Sequence, residues 1–176
     1  MDKIYVNAQS MLLNSFKLAK LVYANFIPDL IIGIWRGGSL ITFAIDEYFR
    51  FKNLKIPCYP LKSEAYSENR LNKEIKLFGM NDLSKEIKKD SKILLVDDVL
   101  DTGSSLKKII GTISSTTKNF KIATIYYKPK NNRTNLKPDF YLYETSAWIV
   151  FPHELEELTI DEIKSKNEVL HLLLTT

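Results

Sequence analysis

Asp97, Asp98 and Asp101 fall within five positions and lead straight into Thr102-Gly103-Ser104-Ser105, in the segment Val96-Asp97-Asp98-Val99-Leu100-Asp101-Thr102-Gly103-Ser104-Ser105. A glycine turn with hydroxyl side chains at a helix start offers N–H and O–H donors to an anion, and phosphate fits such a cradle. The neighbouring carboxylates would repel that phosphate. They must face something else, either ribose hydroxyls, whose protons they accept, or a hard cation such as Mg²⁺. A ligand carrying a sugar, a phosphate and a metal satisfies the whole segment. Acids often end a strand and solvate a turn, but three of them before a glycine-bearing helix start exceed what a turn requires. A P-loop enzyme also places acids after an apolar strand, yet the chain has no Gly-x-x-x-x-Gly-Lys-Ser/Thr. A zinc hydrolase needs clustered ligands, whereas Cys58 is the only cysteine and His153 and His171 stand apart from it.

The elements that must position these residues are legible from periodicity. Met11, Leu12, Phe16, Ala19, Val22 and Phe26 recur at helical spacing over Ala8 to Phe26, and Pro28 closes the segment. Leu30 to Trp35 reads as a buried strand, Arg36-Gly37-Gly38 as a loop, and Ile41, Ala44, Ile45 and Tyr48 as one face of a following helix. Ile56 to Leu61 predicts a strand, and the polar stretch Ser63 to Phe78 a mobile loop. Ile93 to Val96 predicts a strand ended by the acid pair, with a helix marked by Leu106, Ile109, Ile110 and Ile113. Ile122 to Tyr127, Phe140 to Tyr143 and Trp148 to Phe151 complete the strand candidates, with a helix start expected at His153 to Glu157 and a C-terminal helix at Val169 to Leu174 in which His171 packs. Alternating strands and helices imply an α/β fold with a mostly parallel sheet, and ligands bind at the carboxyl ends of such strands. Both glycine-bearing loops fall there.

The 176 residues are 45% apolar, which suits one globular domain, and the net charge of +4 comes from scattered lysines. No nucleic-acid partner is implied. The lone cysteine excludes an internal disulfide, and neither a signal-peptide pattern nor a membrane-length apolar run is present, so a soluble cytoplasmic protein is expected.

The acid segment resembles the signature motif of type I phosphoribosyltransferases, and the likeness to bacterial and archaeal xanthine-guanine enzymes of that family extends over roughly Leu30 to Glu154. It implies a mostly parallel twisted sheet flanked by helices with a small hood: a single domain over 1–176, its core at about 27–130 and its hood from about 131 to 176. It implies transfer of the phosphoribosyl group of 5-phosphoribosyl 1-pyrophosphate (PRPP) to a 6-oxopurine, with release of pyrophosphate and a nucleoside 5′-monophosphate. By that resemblance Asp97 and Asp98 hold the ribose hydroxyls and Mg²⁺, Thr102 to Ser105 (with Gly103 and Ser104) hold the 5′-phosphate, and Asp101 transfers a proton at N7 of the base. Arg36, Gly37 and Gly38 resemble the pyrophosphate loop, where bare backbone approaches the leaving group. Trp35 departs from the smaller residue common there. Tyr66 and Arg70 resemble functional residues of the family's closing loop, which keeps water from an oxocarbenium-like ribose. Lys128 corresponds to the lysine that donates to the 6-oxo group, and Trp148 and Ile149 to the hood residues that stack on the base and read its edge. Glu154 lies where relatives carry an acid near the base or a second metal. A homodimer or homotetramer is expected on the same ground. Two alternatives stay open. One is a regulator of this fold that senses PRPP without catalysis, although no helix-turn-helix pattern precedes Leu30; the other is a transferase for another base, against which Lys128 and Trp148 argue.

Overall fold

The computed structural model describes residues 3–67, 73–156 and 158–175, the side chains at 65–67 and 73 excepted. In chain order the elements are β1 (Lys3–Tyr5), α1 (Ala8–Asn25), β2 (Leu30–Trp35), α2 (Gly38–Phe51), β3 (Cys58–Ser67), β4 (Lys73–Phe78), α3 (Met80–Glu86), β5 (Ile93–Leu100), α4 (Ser104–Ile113), β6 (Phe120–Tyr127), β7 (Phe140–Glu144), β8 (Trp148–Val150), α5 (Ile160–Lys166) and α6 (Glu168–Thr175). They form two compact units, Asn14–Ser146 and a smaller one made of Met1–Leu13 with Ala147–Thr176. Where the sequence placed a core at about 27–130, the larger unit therefore also takes in most of α1 and all of β7.

The larger unit is built on a six-stranded sheet in the order β4-β3-β2-β5-β6-β7. Its two central strands begin as unbroken apolar runs, because a strand covered on both faces has no solvent side on which to place polar residues. Leu30 to Ile34 and Ile93 to Val96 are buried without interruption, with Leu30 opposite Ile93 and Gly33 opposite Val96. Against one face pack Leu83 of α3 and Leu106, Ile109 and Ile113 of α4, joined to Leu30, Ile32, Ile34, Leu61, Leu95 and Ile122 of the sheet. α2 lies against β2 and β5, and its Ile41, Ala44, Ile45 and Phe49 recur at the helical period that such a contact requires. From β2 the chain builds outward to β3 and β4, then returns beside β2 as β5 and builds outward the other way to β6 and β7. The connections at the carboxyl ends of β2 and β5 thus diverge and leave a crevice, the place where open α/β sheets bind ligands.

Three expectations are corrected. Ser63 to Phe78 is not one loop: β3 runs on to Ser67 and pairs antiparallel with β4, from Lys62 opposite Phe78 to Ser67 opposite Lys73. A hairpin arm needs no apolar run, since backbone pairing and cross-strand charges such as Glu64 opposite Lys76 support it. Second, the acid pair does not end its strand, for β5 continues to Leu100 with Asp97 opposite Thr124 and Val99 opposite Tyr126. Third, no helix starts at His153: 152–153 form a turn, and the helix begins at Ile160. Glu154 is spent on the turn, accepting from Phe151 N at 2.9 Å, while Thr159 and Glu162 form the capping box that starts α5.

In the smaller unit, β8 pairs in parallel with β1, a strand the sequence did not announce, through Lys3 opposite Trp148 and Ile149 opposite Ile4. Lys166 ties the turn down by donating to Phe151 O at 2.7 Å and Glu154 O at 2.6 Å. His171 is half-buried on α6, a helix with no fully buried residue. Among the described residues, no helix is long and apolar enough to cross a membrane.

Candidate active site

The crevice between β2 and β5 brings the two glycine-bearing loops into contact. A Cβ on Gly37 would lie 2.0 Å from Asp98 Oδ2 and 2.2 Å from its Cγ, and one on Gly38 would lie 2.2 Å from Val96 O. Only bare backbone fits against the acid strand at these two positions. Asp98 is thereby buried, at 8% exposure, under the loop that carries Arg36. The Trp35–Arg36 peptide is cis, Ser39 N and Oγ both donate to Arg36 O, and the Arg36 and Trp35 side chains face outward.

Asp97 takes the Asp98 N–H on its Oδ1 at 3.0 Å. Burial first, and the adjacent Asp98 charge second, hold its carboxyl well above the usual carboxylate range. Two carboxylates side by side in so little water are poised for a positive charge. Their strand extends two residues further and then turns, with Gly103 in the left-handed region at φ 75°. α4 starts directly after it. Thr102 Oγ1 lies 3.2 Å from Ser104 Oγ and 3.4 Å from Ser104 N, and the first N–H groups of this ten-residue helix open onto the same loop.

Between the acid pair and this cradle stands Asp101. Lys128 donates to its Oδ2 at 3.2 Å, and the lysine side chain is only 6% exposed. The pairing follows from backbone register, since Lys128 N donates to Leu100 O at 2.9 Å and so sets the end of β6 beside the end of β5. Asp101 Oδ1 is buried without a hydrogen-bond partner among the described residues. A buried acceptor left open in this way costs free energy unless a ligand donates to it.

The structure thus gathers Gly37, Gly38, Asp97, Asp98, Asp101, Thr102, Gly103, Ser104, Ser105 and Lys128 in the larger unit, with Arg36 beside them. Trp148, 40% exposed, and Ile149, buried, sit on β8 of the smaller unit. Arg70 and the side chain of Tyr66 lie outside the described residues. The sequence reading missed the turn that backs the cradle, where a Cβ on Gly103 would meet Thr134 Oγ1 at 2.5 Å and Asn132 Oδ1 at 3.1 Å. Its signal was the Asn131-Asn132-Arg133-Thr134-Asn135 run, whose side chains favour turns.

A crevice at the sheet's reversal point, lined by a glycine loop, an acid pair and a phosphate cradle, defines the class: residues 2–159 match the phosphoribosyl transferase domain family, and the chain belongs to it. Within that family it is 36% identical over 115 residues to a hypoxanthine-guanine phosphoribosyltransferase of Schistosoma mansoni, a match covering 65% of this chain and 37% of that protein's length. It superposes on the purine phosphoribosyltransferase of Pyrococcus horikoshii with a TM-score of 0.71 at 29% identity, over 90% of this chain and 98% of the other. The Helicobacter pylori xanthine-guanine-hypoxanthine phosphoribosyltransferase shares the fold at TM-score 0.67 and 22% identity, over 95% of this chain and 98% of that one.

Proposed function

We propose that the chain transfers the 5-phosphoribosyl group of PRPP to the ring nitrogen of a 6-oxopurine (xanthine, guanine or hypoxanthine) and releases pyrophosphate, as a cytoplasmic purine-salvage enzyme. The observation that carries this reading is the half-satisfied Asp101, with one oxygen held by buried Lys128 and the other buried and open. A 6-oxopurine presents a ring N–H to the open oxygen and a carbonyl to the lysine, so one ligand completes both groups. Adenine would set an amino group against a second donor and leave it unpaired, which disfavours it. The Pyrococcus and Schistosoma relatives, described as purine and hypoxanthine-guanine enzymes, support the same substrate class.

In the proposed reaction the purine nitrogen bonds to ribose C1 as the C1–O bond to pyrophosphate breaks, and the purine's proton passes to Asp101. Asp101 acts as the base, and Lys128 both holds its outer oxygen and donates to the 6-oxo group. Thr102 to Ser105 hold the 5′-phosphate, while Arg36 and the bare backbone at Gly37 and Gly38 hold the leaving pyrophosphate. Asp97 and Asp98 receive the ribose hydroxyls. Mg²⁺ fits this set, because two adjacent carboxylates, Asp98 buried and Asp97 half-buried, stand together on β5, and the ion accepts one or two protein carboxylates with substrate oxygens and water filling the rest of its shell. When bound, it would neutralise charge on pyrophosphate. Trp148 and Ile149 are proposed to stack on the base and read its edge, and Arg70 to act in closure. An absorbance assay with PRPP, Mg²⁺ and guanine, xanthine, hypoxanthine, adenine or orotate tests the proposal. Turnover of a 6-oxopurine that stops on chelation is expected, and PRPP binding without turnover of any base would point to a sensor.

A further inference from the structure

The cradle Thr102 to Ser105 contains no cationic side chain, although the group it is proposed to hold is a phosphate. Its outer wall is the turn after β6. Arg133 N donates to Thr102 O at 3.0 Å, which anchors the turn to the first residue of the cradle. Asn132 fixes the turn's shape: its Oδ1 accepts from Thr134 N at 2.9 Å and Thr134 Oγ1 at 2.8 Å, and its Nδ2 donates to Leu136 O at 2.6 Å. The resulting knot rests directly on Gly103, where no side chain could replace the glycine's hydrogen without striking Thr134. An arginine leaving from this anchored point is exposed, and among the described residues its guanidinium enters no ion pair. It has the length to bring its donor fork over an anion seated on the N–H groups of α4.

We infer that Arg133 is a recognition residue for the 5′-phosphate, supplying from a separate turn the positive charge that the cradle lacks. The inference rests on the phosphoribosyl reading of the site and adds to it a residue outside the signature segment. Arg133 selects for a terminal phosphate dianion on the ribose and takes no part in holding pyrophosphate.

The test compares Arg133→Met, Arg133→Lys and Lys130→Met, the last removing an equal charge from the same turn at a side chain without a bond to the cradle. Binding of ribose 5-phosphate and of pyrophosphate is measured by calorimetry, alongside the KM for PRPP. Arg133→Met is expected to weaken ribose 5-phosphate binding and raise the PRPP KM by about tenfold or more, as loss of a charge-assisted hydrogen bond does. Pyrophosphate binding and kcat should hold, Arg133→Lys should recover part of the loss, and Lys130→Met should behave as wild type. If wild type turns over PRPP but Arg133→Met matches Lys130→Met, the inference falls alone. Wild type that binds neither PRPP nor ribose 5-phosphate overturns it together with the functional reading.

Discussion

Asp101 and Asp97 are both acids on one short segment, and their surroundings set them to different work. Asp101 has a lysine on one oxygen and, among the described residues, no hydrogen-bond partner on the other, an arrangement suited to taking a proton. Asp101→Asn keeps the size and the contact to Lys128 but cannot take that proton. PRPP should still bind while kcat falls by about 10²-fold or more, read by steady-state kinetics beside calorimetry. Asp97 is held protonated-prone by burial and by Asp98, so its ionisation opposes folding. With its folded-state titration raised, the stability present below the ordinary carboxylate range is lost as pH rises through the raised value. Asp97→Asn, which retains the acceptor for Asp98 N, should therefore melt at a higher temperature than wild type at neutral pH. The advantage should vanish at acid pH, and PRPP affinity should drop at neutral pH; melting curves across pH without a gain at neutral pH would contradict this.

At the scale of elements, what was legible in the sequence was what is local in it. The strand, turn and helix from Ile93 to Ile113 could be read because burial, left-handed turn and helix face follow one another within a single stretch. The closeness of Gly37 to Asp98 and of Thr134 to Gly103 could not, since each joins segments brought together only by strand order. The β3–β4 arm escaped because its pairing is between backbones and its side chains are mostly polar. β1 escaped because three exposed residues carry no periodic signal. The burial of Lys128, at 4% exposure, could not be read either, since it comes from the register of β6 on β5. Two glycines separate these effects experimentally. Gly111 lies on α4 with nothing within 4 Å of an added Cβ, so Gly111→Ala should stabilise by roughly 0.5–1 kcal/mol in a denaturant titration and leave turnover unchanged. Gly37→Ala would set a methyl group 2.0 Å from Asp98 Oδ2, and turnover should collapse as that carboxylate is displaced.

For the whole molecule, exposed apolar side chains favour self-association: Phe43 and Phe51 on α2 are 63% and 78% exposed, and Val169 and Leu173 on α6 are 66% and 72% exposed. Light scattering at assay concentration should return a mass of two or four times 20.4 kDa, and a monomer mass would remove the proposal of a homodimer or homotetramer. The seating of Gly37 and Gly38 on the acid strand also governs how such a protein can change over generations. A larger residue at 37 has room only if the carboxylate at 98 shortens or withdraws, so the two positions drift as one unit although they are far apart in the gene. A saturation library at 37 alone should return glycine, while one that varies 37 and 98 together should also return folded chains that have given up the acid.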